Sequence, residues 1–417
     1  MIAEKINNFI WGNGLIFLLL LTGTLLTLKL GFIQFRLPFL LARQKKSSNN
    51  GLSQFRTVCM SLGTSMGTGN IIGAASALAI GGAGSIFWMW ISAFLGMALV
   101  YGENMLSARY SDENMKGSIA YLSKGLGCPV IAWIFALFCV FSSLGMGGMV
   151  QVNTFGNALG EQVNFSRPIA AVIIFIIIFL TISGGGKRIS SAAQFLLPAA
   201  SLGYCIVCIA VIALHGSDLP AVFGRIFSEA FDFSSIAGGM GGYAVSVGIR
   251  RGIFSNEAGL GSSPILHSAA ESNSTHTQAL WSMFEVFFDT IFCCTLTAVT
   301  LLCASENFSV TEALSPVLGG FSASFVTAEL GIFSFCTVTG WYYCGMTAFK
   351  HISGGKYIRM FTIIYSAISA CGILSDNDTL WTISDIFNGL MAFVNISALL
   401  LLMGKISNSG RDSLNDF

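Results

Sequence analysis

Apolar runs of roughly 20 residues recur along this chain almost without interruption, and no other feature restricts its fold so strongly. A helix of that length crosses the hydrocarbon core of a bilayer. In lipid every backbone polar group must be satisfied within the structure, which leaves helices or closed barrels. Barrel strands are about half as long and alternate in polarity; these runs do neither. Of the 417 residues, 54% are hydrophobic and only 10% charged, against about 25% charged in a soluble domain. The expected fold class is therefore an all-α integral membrane protein. A net charge of +1, with no basic stripe of interleaved aromatics, argues against a nucleic-acid partner.

Eleven spans can be drawn: Gly14–Ile33, Val58–Ile80, Ile86–Met105, Val130–Gly156, Ile169–Ile182, Ala192–Leu214, Ala237–Leu260, Leu280–Ala304, Ala323–Ala348, Ile358–Leu374 and Trp381–Met403. The connections are short, the longest being Gln34–Arg56, Leu106–Pro129, His215–Ile236 and Gly261–Gln278, so the chain reads as one polytopic domain over 1–417. Leu15–Leu28 looks like a signal-peptide core, but it lacks a small-x-small cleavage site and runs into Lys29; it reads as a retained first span. With the N-terminus outside, one side collects Arg36, Arg43, Lys45, Lys46, Arg56, Arg109, Lys116, Lys124, Lys187, Arg188, Lys350, Lys356, Arg359, Lys405 and Arg411, and the other only Lys5, Arg167 and Arg225. The positive-inside rule then places the C-terminus in the cytoplasm, and the short loops suit a prokaryotic plasma (inner) membrane. Most of the eleven cysteines sit inside apolar runs and read as small buried hydrophobes rather than a disulfide framework.

Two spans do not suit a plain lipid-facing helix. The stretch Gly63–Gly84 (GTSMGTGNIIGAASALAIGGAG) mixes glycines with Thr64, Ser65, Thr68 and Asn70. Glycine permits helix-breaking backbone, and such backbone survives at membrane depth only where it is buried in protein or lines a cavity. The seventh span repeats the pattern, with Gly238, Gly239, Gly241, Gly242, Gly248, Gly252, Gly259 and Gly261 around Arg250-Arg251 and Phe254-Ser255-Asn256-Glu257. The two lie five spans apart and cross in opposite directions. That is the register of an inverted repeat, 58–214 against 237–403, with 14–33 as an extra helix. Glycine-interrupted segments in corresponding positions are the best sequence pointer to a transporter binding site. HExxH and paired intramembrane aspartates are absent, and no nucleotide-binding loop or ATPase domain is present, so the chain reads as a non-enzyme driven by an ion gradient.

These residues carry a resemblance. GTGNIIG (67–73), GGAGSIFWMWISAFLG (81–96), VQVN (150–153), RRGIFSNEAGLGS (250–262), FFDTIFCCTLTA (287–298), GWYY (340–343) and DIFNGLMAFVN (385–395) resemble the alanine or glycine:cation symporter family, the sodium:alanine symporters, over nearly the whole chain. Ser85, Ser263-Pro264-Ile265 and Val394-Asn395 depart from the usual pattern. The resemblance implies a leucine-transporter-type fold, no cofactor, and a symporter that takes up a small neutral amino acid, alanine or glycine foremost, with Na⁺ as coupling ion. Alternatives of the same fold are H⁺ coupling or a preference for glutamine.

For a zwitterion, half-helix N-termini suit the carboxylate, and unwound carbonyls suit Na⁺ and the ammonium. Gly67, Thr68, Gly69 and Asn70 are the candidate amides, and by resemblance Asn70 leads the substrate-binding set. Gly73 and Ala77 read as packing. In the seventh span Phe254, Ser255 and Asn256 sit at the expected break, with Glu257 just past it. Carried over from the family, Gln151 and Trp341 match pocket-lining positions, although interhelical glue and core packing are their plain alternatives. The fold also implies a Na⁺ between the second and ninth spans, here Gly63 and Met66 with Thr337 and Thr339 before a break at Gly340. Such hydroxyls otherwise bond their own helix. Arg250 or Arg251 with Asp385 would form an outer gate, while Glu257 balances charge. Glu103 and Asp289 read as structural, paired with neighbouring helices. His215, His267, His276 and His351 fall in loops or span ends, unlike a proton relay.

Overall fold

The computed structural model describes residues 2–43, 54–231, 241–269, 275–375 and 377–406. Lys45, Lys46, Gly238, Gly239 and Arg411, named above, lie outside these segments. Every regular element among the described residues is helical. The N-terminal arm comprises α1 (Ile2–Ile10) and α2 (Asn13–Lys29), joined by a turn at Trp11. The first interrupted span follows as α3 (Gln54–Ser65) and α4 (Gly69–Gly81). Then come α5 (Gly84–Tyr110), α6 (Pro129–Gly160), α7 (Arg167–Ile182) and α8 (Gly185–Leu214). Pro129 and Pro168 sit in the first turns of α6 and α7, where the missing N–H costs nothing. The second half has α9 (Leu219–Ala230), α10 (Gly241–Asn256), α11 (Ser262–His267), α12 (Thr275–Ala304), α13 (Val310–Leu318), α14 (Ser322–Ser353), α15 (Ile358–Cys371) and α16 (Asn377–Leu402).

Seven stretches of the described residues are long and apolar enough to cross a membrane: Ala3–Lys29, Gly84–Tyr110, Pro129–Gly160, Gly185–Leu214, Thr275–Ala304, Val310–Ser353 and Leu380–Lys405. The chain is thus a multi-pass membrane protein. Among the described residues the helical pieces of the two interrupted spans are each shorter than that. α7 and α15, with 16 and 14 residues, reach only about 24 and 21 Å.

Three expectations about the backbone are corrected. The seventh span breaks later than expected: α10 continues through Asn256, and the irregular segment is Glu257–Gly261. Within it Glu257, Gly259 and Gly261 all have positive φ, at 57°, 88° and 79°. Glu257 therefore lies in the break, in a left-handed conformation that a non-glycine residue takes only at a cost. Second, α14 is continuous through Gly340. That glycine serves close packing instead: a Cβ there would meet Thr64 Oγ1 at 1.9 Å. Third, the expected connections His215–Ile236 and Gly261–Gln278 contain α9 and α11. α9 caps the start of α5, where Glu229 Oε2 accepts the amides of Ala83 at 2.6 Å and Gly84 at 3.4 Å.

The broken spans lie antiparallel. α3 packs on α11, and α4 packs on α10, so the first half of one meets the second half of the other. α10 runs along α5, and α6 along α14. All eleven cysteines are unpaired, eight of them buried.

Candidate functional site

Three π-helical turns surround the breaks: Gly69–Gly73 in α4, Gly145–Met149 in α6 and Phe287–Cys294 in α12. Such turns free carbonyls from the regular ladder and re-aim side chains, frequently at functional sites. Each supplies a partner to the site.

The first break spans Met66, Gly67 and Thr68. The Thr68 amide donates to Gln151 Oε1 at 3.1 Å, and Gln151 is steadied by its own Nε2 donating to Met146 O at 3.1 Å. Gly67 lies under both neighbours: a Cβ there would come within 2.7 Å of Thr337 Oγ1 and 2.8 Å of Gln151 Oε1. Gln151 and Thr337 thus reach the break only because residue 67 has no side chain. Gly73, expected to be packing, has nothing within 4 Å of an added Cβ and lines an open cavity instead. Ala77 is buried, as packing requires. Gly63–Gly67 spells GxSxG, but the strand–turn–helix that makes such a serine a nucleophile is missing; Ser65 Oγ donates back to Leu62 O at 3.1 Å.

The helices beside the two breaks meet at Asp289. Asn70 Nδ2 donates to its Oδ1 at 2.8 Å and to its main-chain carbonyl at 3.0 Å. Ser255 Oγ and Thr290 Oγ1 donate to Oδ2 at 2.6 and 2.8 Å. Asp289 is fully buried, and these donors are neutral. Asn256 joins through Nδ2, 3.1 Å from Thr290 Oγ1. Asn70 Oδ1 and Thr68 Oγ1 are buried without hydrogen-bond partners. Asp289 does touch neighbouring helices, as expected of a structural residue, but it ties together the very residues proposed for the site. Its mid-span charge was the available signal, since such groups are costly and functional by default.

The remaining candidates fall around this junction. Thr337 Oγ1 donates across to Gly63 O at 3.0 Å, whereas Thr339 Oγ1 bonds its own helix, at 2.9 Å to Phe335 O and 3.1 Å to Cys336 O. Thr339→Ala is therefore expected to leave uptake within about twofold of wild type, and Thr337→Ala to lower it several-fold, in parallel cation titrations of initial rate. Trp341 is buried against Gly147, and its Nε1 donates to Glu257 Oε1 at 2.7 Å; Ser262 Oγ holds Oε2 at 2.6 Å. Glu103 bonds Asn395 Nδ2 at 2.6 Å, and the same amide reaches Gly259 O at 2.9 Å.

On one side of the junction a cavity of about 1010 Å³ opens, lined among others by Asn7, Ile72, Ser76, Asn153 and Thr154. Arg250 and Asp385 also line it, with Arg250 Nη2 2.6 Å from Asp385 Oδ2. Arg251 sits over the Trp381 ring, which stacks on Phe254 at 5.3 Å between centroids. On the opposite side α3, α11 and α12 are tied together. Ser61 Oγ donates to Glu285 Oε2 at 2.7 Å, and His267 Nε2 lies 3.1 Å from the same oxygen. His267 is therefore no loop residue: it is buried in the second half of the broken span, a placement hidden from the sequence because Gly261–Gln278 reads as a connection.

The profile of the sodium:alanine symporter family matches residues 1–415. The chain belongs to that family. Among its symporter relatives, the sodium/alanine symporter AgcS of Methanococcus maripaludis is 36% identical over 97% of this chain and 95% of its own length. The probable sodium/glutamine symporter GlnT of Bacillus subtilis is 34% identical over 97% and 89%. The amino-acid carrier protein AlsT of the same organism is 32% identical over 95% and 88%. Membership accounts for a multi-pass helical chain whose charged and amide side chains converge at membrane depth.

Proposed function

We propose that the chain couples Na⁺ influx to uptake of a small neutral amino acid by alternating access, with alanine or glycine the foremost substrate. The observation that carries this reading is the meeting of two interrupted, antiparallel helices at Asn70, Ser255 and Asp289. That junction lies between the Arg250–Asp385 pair on one side and the Ser61–Glu285–His267 cluster on the other. An intramembrane carboxylate served by neutral donors needs a proton or a cation to be stable at depth. Asp289 with Asn70 Oδ1 and Ser255 Oγ offers the hard oxygens that suit Na⁺. Gly63 and Met66 carbonyls with Thr337 are a second place for it; Thr339 is turned to its own helix. The substrate zwitterion is assigned to Gly67–Asn70, Ser255 and Asn256, with Gln151, Phe254 and Trp341 around it and Glu257 balancing charge.

The antiparallel packing of the broken spans supports an inverted repeat of 58–214 and 237–403, eleven spans in all with 14–33 as the extra helix. The charge asymmetry supports an N-terminus outside a plasma (inner) membrane and a cytoplasmic C-terminus. The name of GlnT keeps glutamine as the second substrate reading.

Proteoliposome uptake of labelled alanine, glycine and glutamine under an imposed Na⁺ or H⁺ gradient tests the proposal. An inward Na⁺ gradient is expected to accelerate uptake of alanine or glycine. Acceleration by H⁺ alone would transfer the coupling to protons, and uptake indifferent to both gradients would end the symporter reading.

A further inference from the structure

The Arg250–Asp385 pair, formed between α10 and α16, has a third component from outside both helices. Trp11, in the turn between α1 and α2, is 3% exposed. Its indole N–H donates to the main-chain carbonyl of Asp385 at 2.9 Å. The Arg250 guanidinium carbon lies 5.5 Å from the centre of the same ring, within the range where an aromatic face attracts a cation. One side chain therefore holds the backbone of one ion-pair partner and the charge of the other. A carbonyl oxygen has two lone pairs, so the indole can bond it without displacing a helical donor.

The fit depends on Gly389, four residues beyond Asp385 on α16. A Cβ there would stand 2.9 Å from Trp11 Nε1 and 2.4 Å from Ile10 Cγ2. The arm lies close only because position 389 has no side chain. α1 packs along α16, and Asn7, Asn8, Gly12 and Asn13 of the same arm line the same cavity as the pair. An anchor for α1 alone would have no need of the Arg250 charge or of a donor aimed at residue 385.

We propose that Trp11 is a positioning residue of the outer gate: the N-terminal arm clamps Arg250 onto Asp385 and so sets how readily the cavity closes over bound substrate. The inference rests on reading that pair as the gate, and the experiment separates the two. A Ser76→Cys probe, lining the cavity, is placed in a Cys371→Ser background and labelled with a membrane-impermeant thiol reagent in proteoliposomes, with and without Na⁺ and labelled alanine. In the parent, substrate with Na⁺ is expected to slow labelling. Trp11→Ala should weaken that protection and the maximal uptake rate by on the order of 5-fold, while half-saturation for alanine moves less. Trp11→Phe keeps a ring over Arg250 and loses the donor, so it should fall between; it also stands in if Trp11→Ala does not accumulate. In an Asp385→Ala background the Trp11→Ala effect should vanish, because coupled residues are not additive.

Protection and rate unchanged in both Trp11 variants would overturn the inference, as would a full Trp11 effect persisting without Asp385. If Asp385→Ala itself leaves protection intact, the gate reading falls instead.

Discussion

Asp289→Asn is expected to raise the Na⁺ concentration for half-maximal uptake by on the order of 100-fold, with Asp289→Leu inactive at any Na⁺ concentration. The carboxylate takes hydrogen bonds from Asn70, Ser255 and Thr290, which come from α4, α10 and α12 itself. An amide in its place removes the negative charge and turns an N–H₂ toward groups that are already donors. An interaction with a charged group is worth about 1.5–3 kcal/mol, and each 1.4 kcal/mol is about tenfold in affinity, so loss of the charge facing the cation reaches the expected size. Loss of fold is separated from loss of cation binding by thermal stability in detergent with and without Na⁺. The wild type should be stabilised by saturating Na⁺, as any ligand of the native state stabilises it, and Asp289→Asn should lose that increment while remaining folded. Unchanged half-saturation for Na⁺ in a folded Asp289→Asn protein would remove this residue from the cation site. Asn70→Asp should be almost as damaging, since it sets a second carboxylate within hydrogen-bond reach of the first.

Reversal of Arg250 to Glu should abolish uptake, and the exchanged pair Arg250→Glu with Asp385→Arg should recover a measurable fraction of it. The pair is largely shielded, with side chains 24% and 11% exposed. Removing one partner of a buried pair costs up to about 3–5 kcal/mol, because the other charge is left stranded; partial exposure to the cavity lowers that figure here. Initial rates of labelled alanine uptake at saturating Na⁺ decide it. An exchanged pair as inactive as the single variant, at equal abundance in the membrane, would count against a gating role for the contact. Full recovery is not expected, since an arginine at 385 would face the Trp11 indole N–H bonded to that residue's own carbonyl, and a glutamate at 250 would lose the aromatic face beneath it.

Part of this candidate site is legible in the sequence alone. Asn70 and Ser255 stand out because polar side chains in glycine-rich spans are costly in lipid unless they have work to do, and Gln151 follows from the family resemblance. An ion pair of Arg250 or Arg251 with Asp385 follows from their common depth, and the geometry brings Arg250 to 2.6 Å from Asp385 while Arg251 sits over the Trp381 ring. Other features were not legible. Gly340 reads as a helix breaker, yet it is a notch for Thr64 on another helix. Gly73 reads as packing, yet it faces open space. A glycine is compatible with a break, a notch or a cavity wall, and only its neighbours in space distinguish them. Trp11 and His267 were beyond reach for the same reason: their partners Asp385 and Glu285 lie on other helices, and local periodicity says nothing about which helices meet.

What the sequence by itself determined is the solvent in which the chain folds, the helical class that this solvent enforces, and the two spans too rich in glycine to remain whole. Those follow from hydropathy and backbone freedom, which are properties of each segment alone. The tertiary structure decided where the seventh span breaks, that Asp289 joins the helices beside both breaks, and that the N-terminal arm reaches the Arg250–Asp385 pair. These depend on which groups are brought within about 3 Å of one another, and a hydrogen bond at that distance is a property of two segments together.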